Sequence, residues 1–173
     1  GIGIQAHEPR EMAFPLERAH AILDEYAQLG KELHITEFMP PSNGHPILGA
    51  AWRGKWNEET QAAYARDFYR VCFAHPAVVA ITWWDLSDAG AWLESSGLLR
   101  ADLSPKPAYD ALFELIHEDW HTRVAIETEA DGCATFDGYF GRYDVRAEQG
   151  DRKTTTTAHV TRGDENTIVL ALE

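Results

Sequence analysis

The chain has 173 residues, 45% of them hydrophobic, and a formal charge of −13. That is enough apolar material for a real core, but the wrong sign for a phosphate-backbone partner, so nucleic acid is excluded as an expected substrate. No apolar stretch reaches the 18 residues that would suggest a membrane span.

The two cysteines, Cys72 and Cys133, suggest neither a disulfide framework nor a Cys-rich metal site, and they leave the redox compartment open. The chain opens on Gly1-Ile2-Gly3-Ile4-Gln5, with no initiating Met and no signal peptide. Such an opening reads as the interior of a strand, and the expectation is a fragment of a longer protein.

In chain order, residues 1–6 form the first predicted strand. Residues 15–29 form a helix with Leu16, Ala19, Leu23 and Tyr26 on one face and Gly30 as its stop. The run 33–38 is a second strand, ending in Glu37 and Phe38 before Met39-Pro40-Pro41. A loop rich in Gly, Pro and Trp follows, then a helix over 58–74 with Ala63, Tyr64, Phe68, Val71 and Cys72 spaced for burial and His75-Pro76 ending it. Residues 78–84 are the third strand, 85–105 a long loop, and 106–116 a third helix carrying Leu112, Leu115 and Ile116. Strands alternating with helices predict an α/β architecture with a parallel sheet.

Beyond about residue 117 the helical period vanishes. Runs at 124–128, 134–140, 143–147, 154–161 and 167–172, with turns at Asp131-Gly132, Gly141, Gln149-Gly150 and Arg162-Gly163, predict four or five short antiparallel strands. The expected division is therefore an α/β unit over 1–117 and a small antiparallel β-sandwich-like extension over 118–173.

Side chains two apart on a strand share a face. This parity places Gln5 with His7, Glu37 with Leu33 and Ile35, and Trp84 with Thr82, each set ending at the C-terminal end of its strand. In a parallel α/β barrel that end carries the chemistry. An amide, an imidazole, a carboxylate and an indole at one mouth suit a sugar: an aromatic wall for the pyranose, hydrogen bonds for hydroxyls, a carboxylate for the anomeric centre.

The segment from Gly1 to His7 resembles the sixth-strand motif of family 10 glycoside hydrolases, the retaining endo-β-1,4-xylanases. Ile35-Thr36-Glu37 resembles their seventh-strand motif. The run Ala80-Ile81-Thr82-Trp83-Trp84-Asp85-Leu86-Ser87-Asp88, followed by Trp92, resembles the eighth, and Leu98-Leu99 with Ser104-Pro105-Lys106-Pro107-Ala108-Tyr109 resembles the approach to the last helix. The resemblance covers about residues 1–117 and implies the last three βα units of a TIM (β/α)8 barrel.

It further implies Glu37 as nucleophile, His7 beside the nucleophile or the sugar, Gln5 as a supporting hydrogen-bonder, and Trp84 and Trp92 as cleft walls. The implied substrate is plant cell-wall xylan or a related β-1,4-linked polysaccharide, and the implied location secreted or periplasmic, with no cofactor and no metal. Two departures bear on substrate preference and on the tuning of His7. Met39 stands where many members carry an Asp partnering the strand-six His, and Asp85 and Trp83 stand where a Gly and a small aliphatic residue are usual.

A retaining glycosidase needs a second carboxylate about 5 to 5.5 Å from the first. The family's acid/base lies on strand four, which this chain does not contain, and Glu8 points away from His7 by parity. The isolated chain is therefore expected to bind sugar poorly and hydrolyse it hardly at all, and to expose edges that the missing N-terminal barrel half would cover.

Two other readings stand beside the leading one. One is a non-catalytic glycan-binding barrel. The other is a metal-dependent hydrolase on His7 and Glu37, disfavoured because no second His lies two residues from His7. Trp52 and Trp56, after the nucleophile strand, are read as exposed packing onto their loop rather than a distal subsite. Asp88 is read as a loop-ordering residue, and Tyr139, Phe140 and Tyr143 as aromatics that pack the β extension and dock it on the barrel rather than form a carbohydrate platform.

Overall fold

The computed structural model describes residues 1–7, 10–49, 53–163 and 166–172. The readings of Glu8 and Trp52 lie outside the described residues. The chain divides into two compact units, Gly1–Ile116 and His117–Glu173.

In the first unit three parallel strands pair in the order β1 (Ile2–Gln5), β2 (Leu33–Phe38), β3 (Val78–Trp83), with α1 (Leu16–Ala27), α2 (Glu58–Ala74) and α3 (Pro107–Glu114) following them in turn. Parallel neighbours need long crossovers, and helices with one apolar stripe supply them. Helix α1 buries Ala19 and Leu23 and stops two residues before the expected end, with Gly30 at φ 63° closing the turn. Helix α2 starts on a capping box in which the Asn57 carboxamide oxygen accepts from the Thr60 amide and the Thr60 hydroxyl accepts from the Asn57 amide, both at 2.8 Å. Helix α3 has Pro107 at its first turn, where no amide hydrogen is needed, and runs on into a π-helical turn over Leu115–Asp119.

The core lies between the sheet and these helices. Leu33, Ile35 and Phe38 are buried, and Phe38 stacks on Phe68 at 4.2 Å and meets Trp83 edge-on at 5.4 Å. Opposite this core face are the exposed positions Gly3 and Gln5 of β1 and His34 of β2.

Here the period-two expectation for Glu37 is corrected. Ile4 pairs with Ile35, but the next residue of β1, Gln5, pairs with Glu37, so Thr36 is an extra residue in β2. The ladder to β3 counts the same extra residue, because Ile35 pairs with Ile81 and Phe38 with Trp83. This β-bulge carries Glu37 off the Leu33/Ile35 core face and onto the Gln5 face, while Phe38 returns to the helices. The Thr36 hydroxyl donates to the Ile4 carbonyl at 3.2 Å, and a Cβ at Gly3 would meet Thr36 Cγ2 at 3.0 Å, so the bulge is held by a hydroxyl and admitted by a glycine.

Trp56 is also corrected. It is fully buried, its indole N–H donates to the Glu11 carbonyl at 2.8 Å, and its ring meets Tyr64 at 5.7 Å. It pins the loop after β1 to the loop after β2 and is neither exposed packing nor a sugar platform. Gln61, buried on α2, donates to the Pro40 carbonyl at 2.7 Å and so fixes the chain just past Glu37.

Among the described residues of the second unit there are two strands, β4 (Gly141–Gln149) and β5 (Arg152–Val160), forming one antiparallel hairpin closed by Gly150-Asp151. The runs 124–128, 134–140 and 167–172 form no ladder, which corrects the expected four or five strands and the sandwich-like extension. Among the described residues the buried hydrophobic ones all precede residue 117, and Val169 is 85% exposed. Alternation marks a face suited to burial, yet a strand also needs a ladder partner and a layer to bury against. The Tyr143 ring lies against Phe136 at 5.7 Å and its hydroxyl donates to the Tyr139 carbonyl at 2.6 Å. Tyr139 and Phe140 remain exposed.

Candidate active site

The three strands of the first unit finish together, and the residues beyond them build one cleft. The Gln5 carboxamide donates to Glu37 Oε1 at 2.7 Å, and His7 Nε2 lies 2.8 Å from Glu37 Oε2. Each carboxylate oxygen thus has its own partner. The backbone supports the pairing, since the Ala6 amide donates to the Glu37 carbonyl at 2.7 Å.

The His7 and Glu37 side chains are only 8% and 17% exposed. Among the described residues, buried His7 Nδ1 has no hydrogen-bond partner. A buried N–H without an acceptor costs roughly 1–3 kcal/mol, so of the two tautomers these contacts favour the one that carries its proton on Nε2 and donates it to Glu37.

Aromatic walls complete the cleft. Trp84 and Trp92 are 49% and 50% exposed, and with Gln5, His7 and Glu37 they line a cavity of about 280 Å³. Trp84 is placed by its amide, which donates to the Phe38 carbonyl at 3.1 Å. Trp92 is placed by its own amide, which donates to Asp85 Oδ2 at 2.8 Å, and its ring meets His7 at 5.0 Å in an edge contact. Asp85, noted in the sequence as a departure, therefore positions a wall. The structure brings Gln5, His7, Glu37, Trp84 and Trp92 together.

Asp88 lies outside the cavity lining. It accepts from the buried Lys106 ammonium and the Gly97 amide, both at 2.8 Å, and Lys106 also donates to the Ser42 hydroxyl and the Ser95 carbonyl. A fully buried cation is tolerable only with such partners, and this one knots the loop carrying Trp92 to the loop after β2. Among the described residues no cluster of His, Cys, Asp and Glu could hold a metal ion, and no second carboxylate lines the cavity.

One residue escaped sequence reasoning. Arg10 places its guanidinium carbon 4.4 Å from the Trp92 ring centroid. Its only sequence signal is proximity, three residues after His7 in the same post-strand loop.

A strand-end carboxylate held by an amide and an imidazole and flanked by two indoles, on a parallel sheet with its helices, is the arrangement of part of an α/β barrel with its polar groups gathered at the strand ends. The chain belongs to glycosyl hydrolase family 10, whose sequence profile matches residues 1–115. It is 31% identical over 126 residues to endo-1,4-beta-xylanase B of Thermotoga neapolitana, a match covering 68% of this chain and 34% of that enzyme. It is 24% identical over 164 residues to an anti-sigma-I factor of Acetivibrio thermocellus, covering 94% of this chain and 20% of that protein. The fold is similar to that of a psychrophilic family 10 endo-beta-1,4-xylanase, with a TM-score of 0.52 and 24% identity over 65% of this chain and 35% of that one. The chain spans about a third or less of the length of the curated relatives it matches.

Proposed function

We propose that the chain is the nucleophile-bearing part of a retaining endo-β-1,4-xylanase-type glycosidase acting outside the cytoplasm on xylan or a related β-1,4-glycan. It corresponds to barrel strands six to eight and their helices. The observation that carries this reading is the pairing of both Glu37 oxygens, one with Gln5 and one with His7, inside a cleft walled by Trp84 and Trp92.

Two fixed donors hold the Glu37 carboxylate in one orientation without consuming all its lone pairs. One oxygen attacks the anomeric carbon as the bond to the leaving sugar oxygen breaks, and that oxygen takes a proton from an acid outside these 173 residues. Water, deprotonated by the same group, then attacks the anomeric carbon, releases the carboxylate and retains the configuration. The indoles pack the apolar faces of adjacent sugars, and the low exposure of Glu37 strengthens its electrostatic pull on the positive charge that develops at the anomeric centre. Without the barrel strand that bears the acid, the 173 residues alone bind sugar weakly and turn it over negligibly.

The test is covalent trapping. The full-length protein is incubated with a 2-deoxy-2-fluoro-xylobioside bearing a good leaving group and digested, and the peptides are weighed. A glycosyl adduct on Glu37 is the expected result; turnover that survives Glu37→Gln unchanged would overturn the assignment.

A second reading is a glycan-binding barrel without catalysis. It is favoured by one observation: a relative matching 94% of the chain is named as an anti-sigma-I factor rather than as an enzyme. It predicts sugar binding with no adduct and no turnover.

A further inference from the structure

The ladder that fixes Gln5 stops short of His7. β1 ends at Gln5, and the backbone bond from the Ala6 amide to the Glu37 carbonyl lies one residue before the imidazole. A histidine ring is ordinarily oriented by the hydrogen bond at its second nitrogen. Among the described residues His7 Nδ1 has none, and Met39, two residues past Glu37, has its sulfur 3.5 Å from the Ser96 hydroxyl.

The ring contact that His7 does make is with Trp92, at 5.0 Å and an interplanar angle of 66°. An edge-to-face contact favours one relative orientation of the two planes, so a fixed Trp92 restrains the rotation of the His7 ring. Trp92 is itself half-exposed, and burial alone does not place it. Its amide donates to Asp85 Oδ2 at 2.8 Å, a bond that closes seven residues of loop onto a charged acceptor, and the Arg10 guanidinium lies over its ring at 4.4 Å. Contacts therefore run from Asp85 to Trp92, to His7, and to Glu37 Oε2. A carboxylate held at one oxygen alone, here by Gln5 at Oε1, turns about that bond; the second donor removes the freedom.

We propose that Asp85 and Trp92 are positioning residues of the Glu37 carboxylate, acting through the His7 imidazole, so that Trp92 has a second role besides lining the sugar cleft. The proposal rests on the glycosidase reading and deepens it: the rate of glycosyl transfer to Glu37, and not only the affinity for sugar, depends on the loop after β3.

The experiment uses the full-length protein, its Asp85→Ala, Asp85→Asn and Trp92→Leu variants, and the 2-deoxy-2-fluoro-xylobioside. The rate constant of inactivation at saturating reagent reads the attack by Glu37, and the half-saturating concentration reads binding; a wall that only binds sugar changes the second and leaves the first. The expected rate constant is about tenfold lower in Asp85→Ala and in Trp92→Leu. In Asp85→Asn, whose carboxamide oxygen still accepts from the Trp92 amide, it stays within about threefold of native. Because Trp92 is half-exposed, replacing it empties no core, and Trp92→Leu decides the matter if Asp85→Ala does not fold. A second readout needs no turnover: the ring-nitrogen NMR spectrum of protein isotopically labelled in histidine, with the His7 signals assigned from their loss in His7→Asn. In Asp85→Ala and Trp92→Leu the separate protonated and unprotonated His7 nitrogen signals should move toward the average of two exchanging tautomers.

A native rate constant in either Asp85→Ala or Trp92→Leu overturns the proposal, as do unchanged His7 nitrogen signals in either variant. In those cases the native protein is still trapped and the glycosidase reading stands. If the native protein is not trapped at all, that reading falls and this one falls with it.

Discussion

Gln5 and Glu37 are register partners across the β1–β2 ladder, and the same pair shares a 2.7 Å hydrogen bond from Gln5 Nε2 to Glu37 Oε1. Backbone pairing and side-chain pairing coincide there only because Thr36 is extra, so the bulge that turns the carboxylate also brings it opposite its amide donor. Replacing Gln5 by Leu removes a hydrogen bond to a charged group, an interaction of roughly 1.5–3 kcal/mol. The expected outcome in the full-length protein is a fall in kcat/KM on xylo-oligosaccharides of about tenfold or more, with an unchanged far-UV spectrum. An unaltered kcat/KM would show that Gln5 does not orient Glu37.

Trp84 and Trp92 are half-exposed on the cavity that contains Glu37. Their value to a sugar is area and a flat face, so Trp84→Ala or Trp92→Ala should weaken xylo-oligosaccharide binding up to about tenfold each, and Trp84→Phe much less. Titration by intrinsic fluorescence measures this directly. Full affinity in both alanine variants would remove the indoles from the substrate site.

Trp56 makes the opposite prediction, because it is buried and its indole N–H is committed to the Glu11 carbonyl. Trp56→Ala leaves a cavity and an unpaired carbonyl at a cost of about 3–5 kcal/mol, comparable to a large part of the stability of a domain. Urea denaturation should show a much lower midpoint, or the variant should fail to accumulate folded. Trp56→Phe, which loses the N–H but less volume, should fall in between.

Glu58 and Arg100 form a two-pronged pair, at 2.8 Å from Arg100 Nε to Glu58 Oε1 and 2.6 Å from Nη2 to Oε2, linking the first turn of α2 to the loop after β3. The Arg100 hydrogen bonds, acting against partial burial, hold the Glu58 carboxyl below its ordinary value of 4.5. A carboxylate with a folded pKa below its unfolded one stabilises the fold fully above the unfolded value, and that contribution is lost as the pH falls through the folded value. Both side chains are partly exposed, so the effect is modest. Glu58→Gln should lower Tm slightly at neutral pH, and the gap from the native protein should close as the medium is acidified below 4.5. A gap that widens on acidification would contradict the pairing.

The element pattern of the first unit is readable from the sequence because its cues are local. Asn57 three residues before Thr60, Gly30 after an amphipathic run, Pro76 after His75 and Pro107 in the first turn of a helix each act within a turn of chain, and the observed boundaries fall within two or three residues of those cues. The residue types of the site are readable for the same reason, as motifs at strand ends. Trp56 is not, because a tryptophan in a Gly- and Pro-rich loop has the same local appearance whether it faces solvent or an indole-sized hole between two loops. The tail is not readable either: its alternation is genuine, but only the stretches around Tyr143 and Thr156 find each other.

Sequence by itself determined the family, the strand whose end carries Glu37, and the amide, imidazole and indoles that attend it, since these are matters of residue type and order. Tertiary structure alone decided which way Glu37 points. Period-two reasoning holds while every residue of a strand has a partner; one unpaired residue, Thr36, reverses the face of all that follow, and its presence shows only when Ile4, Gln5, Ile81 and Trp83 lie alongside.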